Sequence, residues 1–196
     1  MNTRAPLPGI EASTSGIRVL NEGLKLFPSL VTRVLAKHNL PVPGPADTVP
    51  GAERWFPLDT WLTVLDLVFT QVGPNALFTL GTRIMANPKF PPWIRDIDSA
   101  LDAINIAYHK SHRKNGVPMF DDATGQMLEG IGHYRSKRIA GQPRIDVLCD
   151  TPYLCEVDFG IVTGTARKFE PKARVAHGPG KCRHDGAAAC TYVVTW

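Results

Sequence analysis

All four cysteines of this 196-residue chain lie in its last quarter, Cys149 and Cys155 around CDTPYLC and Cys182 and Cys190 around CRHDGAAAC. Cysteines placed only for packing would not avoid the first three quarters, so a local structure that needs sulfur is expected there. The opening MNTRAPLPGIEASTSG has no apolar signal core, which places the chain in the cytoplasm as an expectation. Thiols there stay reduced, and clustered reduced thiols favour metal binding or chemistry over disulfides.

The rest of the chain must supply a scaffold for that cluster. An apolar fraction of 43% with 20% charged residues is globular. Residues 1–16 read as a disordered lead-in. Residues 17–54 read as a helix followed by the Pro-rich connector PVPGPADTVPG. Residues 55–196 form the main body. Three amphipathic helices are predicted first: from Pro57 to the Gly73-Pro74 break, from Pro74 to Met85, and from Trp93 to about His112 with the stripe Ile94, Ile97, Leu101, Ile104 and Tyr108. The pattern then shifts to strands: GIGHYRSKRI, RIDVLC, ARVAH and the closing ACTYVVTW, with one helix from Thr151 between the second and third. The expected fold class is α+β, an N-terminal helical layer packed on a C-terminal antiparallel sheet with one crossing helix.

In that frame Cys149 ends a strand and Cys155 lies in the first turn of the next helix, while Cys182 and Cys190 flank the turn of the final hairpin. Zinc takes four Cys or His ligands at about 2.0–2.3 Å in a tetrahedron. A helix N-terminus favours thiolate as well. The candidate ligands are Cys149, Cys155, His177, Cys182 and Cys190, with His184 as a weaker sixth. The spacing is not a CxxC knuckle. Simple packing of Cys149 and Cys155, or a disulfide across the hairpin, stands as the alternative.

A helix opened by Cys, then a strand, a Cys, seven residues containing Gly, a Cys and a last strand ending in Trp resembles the 4-vinyl reductase-like ligand-binding domain. In phenol-sensing bacterial activators that domain holds zinc with three cysteines and a glutamate. The resemblance puts Cys155, Cys182 and Cys190 at the matching places and leaves the fourth bond to His177 or Cys149. The haem nitric-oxide/oxygen-binding domains and the TRAPP transport subunits share the fold. The haem domains hold propionates with Tyr-x-Ser-x-Arg, which Tyr134, Ser136 and Arg138 match. The resemblance puts Asn105 at the place of their iron-ligating His, with His109 one turn later. On that ground zinc is the expected cofactor and haem is set aside.

His109 and His112 sit three apart on one helix, and His133 and Tyr134 begin the following strand. As acid–base groups or a second metal site they define an enzyme alternative. Their plain reading is as helix-end and strand residues. The leading expectation is a small-molecule-binding or sensor domain with a structural zinc, taking a small apolar or aromatic ligand and acting as a homodimer. The net charge of +4 is spread without a basic run interleaved with aromatics, so nucleic acid is not an expected partner. No apolar run reaches the roughly 18 residues of a membrane span.

Overall fold

The structure is a computed structural model that describes residues 5–14, 28–40, 54–85 and 90–196. In chain order it contains β1 (Ile10–Ser13), α1 (Pro28–Lys37), β2 (Trp55–Pro57), α2 (Leu58–Val72), α3 (Pro74–Ile84), α4 (Ile97–Lys110), β3 (His112–Lys114), β4 (Val117–Pro118), β5 (Tyr134–Arg138), β6 (Arg144–Cys149), α5 (Cys155–Phe169), β7 (Arg174–His177) and β8 (Cys190–Thr195). A single 3-10 turn, Arg183–Asp185, lies between β7 and β8. This is the α+β class that the pattern predicted.

The main sheet runs β5-β6-β8-β7 and is antiparallel throughout. Strict alternation in RIDVLC and CTYVVT sends Ile145, Val147, Cys149, Cys190, Tyr192 and Val194 to one face, each no more than 1% exposed. Leu148, on the opposite face, remains open. Helices α4 and α5 cover the buried face, and α3 lies against α5. The crossing of α3 and α5 is glycine-lined. A Cβ on Gly81 would stand 2.2 Å from the Val157 carbonyl oxygen, and one on Gly160 would stand 2.2 Å from that of Phe78.

Helix α4 begins later than predicted because Asp96 and Ser99 form a reciprocal capping box ahead of Ile97. It also ends earlier. His112 starts β3 instead, and Asn115-Gly116, with φ of 51° and 80°, turns the chain into β4. Helix α5 starts at Cys155 rather than near Thr151, whose hydroxyl is used inside the protein.

A second sheet, β2-β1-β3-β4, was not expected. It corrects the reading of residues 1–16 as a disordered lead-in, since β1 pairs with both β2 and β3. Ile10 and Ala12 are each 4% exposed. Glu11 forks onto Arg113 at 2.6 and 2.9 Å, and the Asp59 carboxylate accepts the Leu7 N–H. A four-residue strand of mixed character offers too little periodicity to read, and its partners are distant in sequence. Of the segment 17–54, α1 is described, with Leu35 fully buried. The predicted helix start and the Pro-rich connector lie outside the described residues. Among the described residues no helix is long and apolar enough to cross a membrane.

Candidate metal centre

The β7–β8 hairpin and the first turn of α5 meet at one point. The Sγ atoms of Cys155, Cys182 and Cys190 and a ring nitrogen of His177 all lie within 4.8 Å of one another. Cys155 Sγ is 3.1 Å from His177 Nε2, and the Cys182 and Cys190 sulfurs are 3.6 Å apart. Zinc–sulfur bonds of about 2.3 Å at tetrahedral angles separate ligand sulfurs by roughly 3.8 Å, so these spacings suit a tetrahedral ion. Three soft sulfurs and an imidazole are also the donor set that zinc prefers.

Each ligand comes from a different local structure. Cys155 is the first residue of α5, His177 ends β7, Cys182 caps the 3-10 turn, and Cys190 opens β8. Burial pushes the Cys155 and Cys182 thiols up, so the helix N-terminus alone does not favour thiolate there as expected. Burial acts the same way on Cys190, but the backbone and side-chain N–H groups of Arg183 outweigh it and bring that thiol below its ordinary value. A divalent ion supplies the charge that would hold all three as thiolates. Cys149 is outside the group. It pairs with Cys190 across β6 and β8, is fully buried, and is pushed well up by that burial. His184 is also outside the group, bonding Glu156 at 3.0 Å and stacking on Phe69.

Two residues that the sequence reading missed sit beside the centre. Asp158 is fully buried, accepting from Tyr134 Oη at 2.5 Å, from Thr151 Oγ1 at 2.7 Å and from Arg183. Burial raises the pKa of its carboxyl, while Arg183 is shifted toward the charged form. These tendencies conflict. Three convergent donors including a guanidinium favour the carboxylate, and we assign that form. The available signal was an Asp three residues after Cys155, on the buried side of a helix.

The His/Tyr cluster is brought together in part. The His109 ring stacks on His133 at 4.9 Å, and Tyr108 packs against His112 and Tyr134. Most polar atoms are committed. His112 bonds the Tyr108 carbonyl and Tyr153 Oη, His133 bonds Glu129, and Tyr134 donates to Asp158. His109 Nδ1 lies 2.8 Å from the Asn105 carbonyl and is therefore the protonated nitrogen, while His109 Nε2 is buried with no hydrogen-bond partner among the described residues. The expected solvated helix end is corrected for His112, which is 2% exposed.

That burial predicts a pH dependence. Despite the opposing bond to the Tyr108 carbonyl, desolvation pushes His112 down to about 4. Its ordinary value is near 6.5, so below that pH the unfolded chain binds a proton that the folded protein refuses. Stability from this group is complete above pH 6.5 and declines as pH falls towards 4, by about 3 kcal/mol in all. Urea unfolding of His112→Gln across pH 4–7 should show a slope smaller by one proton. An unchanged slope would exclude His112 as its source.

No family model matches the chain, and no curated protein matches it. Solved structures do. An H-NOX domain from Shewanella oneidensis in its Fe(II)CO state is similar with a TM-score of 0.60 at 12% identity, over 92% of this chain and 96% of that one. A structure concerned with haem redox potential and porphyrin distortion aligns with a TM-score of 0.57 at 13% identity, over 93% and 96%. An oxygen-binding H-NOX domain related to soluble guanylate cyclases, solved as its oxygen complex, aligns with a TM-score of 0.55 at 12% identity, over 92% and 90%. The chain has the H-NOX fold. The haem-domain side of the expected resemblance is supported, whereas the 4-vinyl reductase-like and TRAPP sides gain no support.

These neighbours overturn the expectation that set haem aside, since the fold they share with this chain is that of haem domains. The chain's own residues meet part of the requirement. Asn105 accepts the Tyr134 N–H at 3.1 Å, and the unpartnered His109 Nε2 is a buried imidazole lone pair suited to an axial bond. Tyr134, Ser136 and Arg138 are present as donors, and each is held by a carboxylate of this chain: Asp158, Asp102 and Asp98. Haem carboxylates would have to replace these partners.

Proposed function

We propose that this chain is a small-ligand-binding sensor domain of H-NOX-like fold whose final hairpin is fastened to α5 by a zinc ion held by Cys155, His177, Cys182 and Cys190. The observation that carries this reading is the convergence of those four ligand atoms within 4.8 Å. Four protein ligands close the coordination shell, which marks a structural rather than a catalytic ion. The interior is rich in aromatics, with Tyr108, Tyr134 and Trp61 buried, which suits a small apolar or aromatic ligand. Elemental analysis with native mass spectrometry of the protein as isolated should find one zinc per chain. Cys182→Ser or Cys190→Ser should lower that to a small fraction. Protein that neither carries nor takes up zinc would end the reading.

The buried His109 Nε2, without a hydrogen-bond partner among the described residues, favours a second reading, in which His109 would bind the iron of a haem. Such a group would supply a site for diatomic gases, as the neighbours' Fe(II)CO and oxygen complexes do for those proteins. Titration with haemin should then give saturable one-to-one uptake with a shifted Soret band, lost in His109→Ala. Uptake that never saturates, or that is the same in the variant, would dismiss it.

A further inference from the structure

The turn between two of the candidate ligands reaches into the protein as well as towards the ion. Arg183 follows Cys182 directly, and its side chain is only 11% exposed. Its backbone N–H and its Nε–H both donate to Cys190 Sγ at 3.4 Å. The far edge of the same guanidinium donates to the Thr151 carbonyl and the Asp158 carboxylate. The other oxygen of Asp158 accepts the Tyr134 hydroxyl at 2.5 Å, and the Tyr134 ring lies edge-on to Tyr108 at 5.4 Å. One rigid planar cation therefore spans the distance from a candidate metal ligand to the aromatic interior.

We propose that Arg183 is a positioning residue that couples the metal centre to Tyr134, so that ion occupancy sets the hydrogen bonding of the interior. The inference rests on the metal centre proposed above. An ion holding Cys190 fixes the sulfur that Arg183 grips. A fixed Arg183 presents Nη2 to Asp158 and Nη1 to Thr151, and Asp158 in turn orients the Tyr134 hydroxyl. A guanidinium does this where an ammonium does not, because its planar donors address two acceptors at once. Groups that orient a ligand from outside the coordination shell change metal affinity by about 10–100-fold when lost. By linkage, the same free energy acts on the interior when the ion leaves.

The chain has four tyrosines, so 13Cζ-tyrosine NMR yields four resonances assignable by single Tyr→Phe changes. Tyr192 is the internal control, because its hydroxyl bonds Cys155 itself, at 2.9 Å to the carbonyl and 3.3 Å to Sγ. Adding zinc to chelated protein should move both Tyr192 and Tyr134. In Arg183→Met, Tyr192 should still move, Tyr134 should not, and zinc affinity by chelator competition should fall about 10–100-fold. If Arg183→Met does not fold, Arg183→Lys and Asp158→Asn test the same link, each expected to silence Tyr134 while Tyr192 responds. A wild type in which Tyr192 moves and Tyr134 stays still overturns the coupling but leaves the metal centre. So does a Tyr134 response that survives these substitutions. Silence of both resonances with no zinc uptake means that the metal reading itself has failed.

Discussion

If the proposed zinc is bound by Cys155, His177, Cys182 and Cys190, stripping it is expected to lower the melting temperature by on the order of 10 °C. The reasoning is mass action. A ligand that binds only the folded state at a thousand times its Kd adds about 4 kcal/mol, and in a domain of this length each kcal/mol moves the melting temperature by about 2–4 °C. The structure concentrates that effect, since the four ligands join the start of α5 to β7, the 3-10 turn and β8. The same turn is also tied to α5 by Arg183 on Asp158 and by His184 on Glu156, so the drop measures the ion's share of that fastening and not the whole of it. Differential scanning calorimetry with and without a strong chelator measures the drop. Cys190→Ser should start from the lower temperature and ignore the chelator. A wild type insensitive to chelation would show that the ion contributes nothing to the fold.

Gly160→Leu is expected to leave no cooperatively folded protein. At Gly160 even a methyl carbon would stand 2.2 Å from the Phe78 carbonyl oxygen and 2.9 Å from Gly81 Cα. These are backbone atoms of a facing helix, so no rotamer change relieves the contact. Overpacking by a methylene or two costs about 1–3 kcal/mol, and a leucine here must part α3 from α5 along their whole contact. That cost approaches the total stability of about 5–15 kcal/mol available to a domain. Gly160→Ala isolates the competition. A contact this short takes the upper end of that cost, about 3 kcal/mol, and better helix propensity returns about 1 kcal/mol, so a net loss of about 2 kcal/mol is expected in urea unfolding. Gly164→Ala, whose nearest contact is the Thr82 carbonyl oxygen at 3.0 Å, should lose less. Equal stability of the wild type and Gly160→Ala would mean that the helices do not cross at this spacing.

Much of this architecture was legible in the sequence wherever a local pattern repeated. The alternation of RIDVLC and CTYVVT specified both central strands and their buried faces. The spacing of Ile97, Leu101, Ile104 and Tyr108 specified α4, and all four are buried. The cysteines crowd towards one corner of the fold, where four of the five candidate ligands converge. Where the pattern was short or the partner distant, it was silent. IEAS carries no readable period, yet it is the inner strand β1 of a second sheet, because β2 and β3 offer unpaired edges on either side of it.

By itself the sequence determined the main helices, the four strands of the main sheet and the gathering of sulfur near the end of the chain. These are properties of neighbouring residues, set by side-chain periodicity and turn chemistry over a few positions. Only the tertiary structure decided that Cys149 stays out of the cluster of candidate ligand atoms while His177 enters it, that Asp158 and Arg183 meet inside, and that His112 is buried neutral. Those outcomes depend on how α5 docks between the sheet and α3. Docking brings together atoms more than twenty residues apart, and no local pattern encodes that distance.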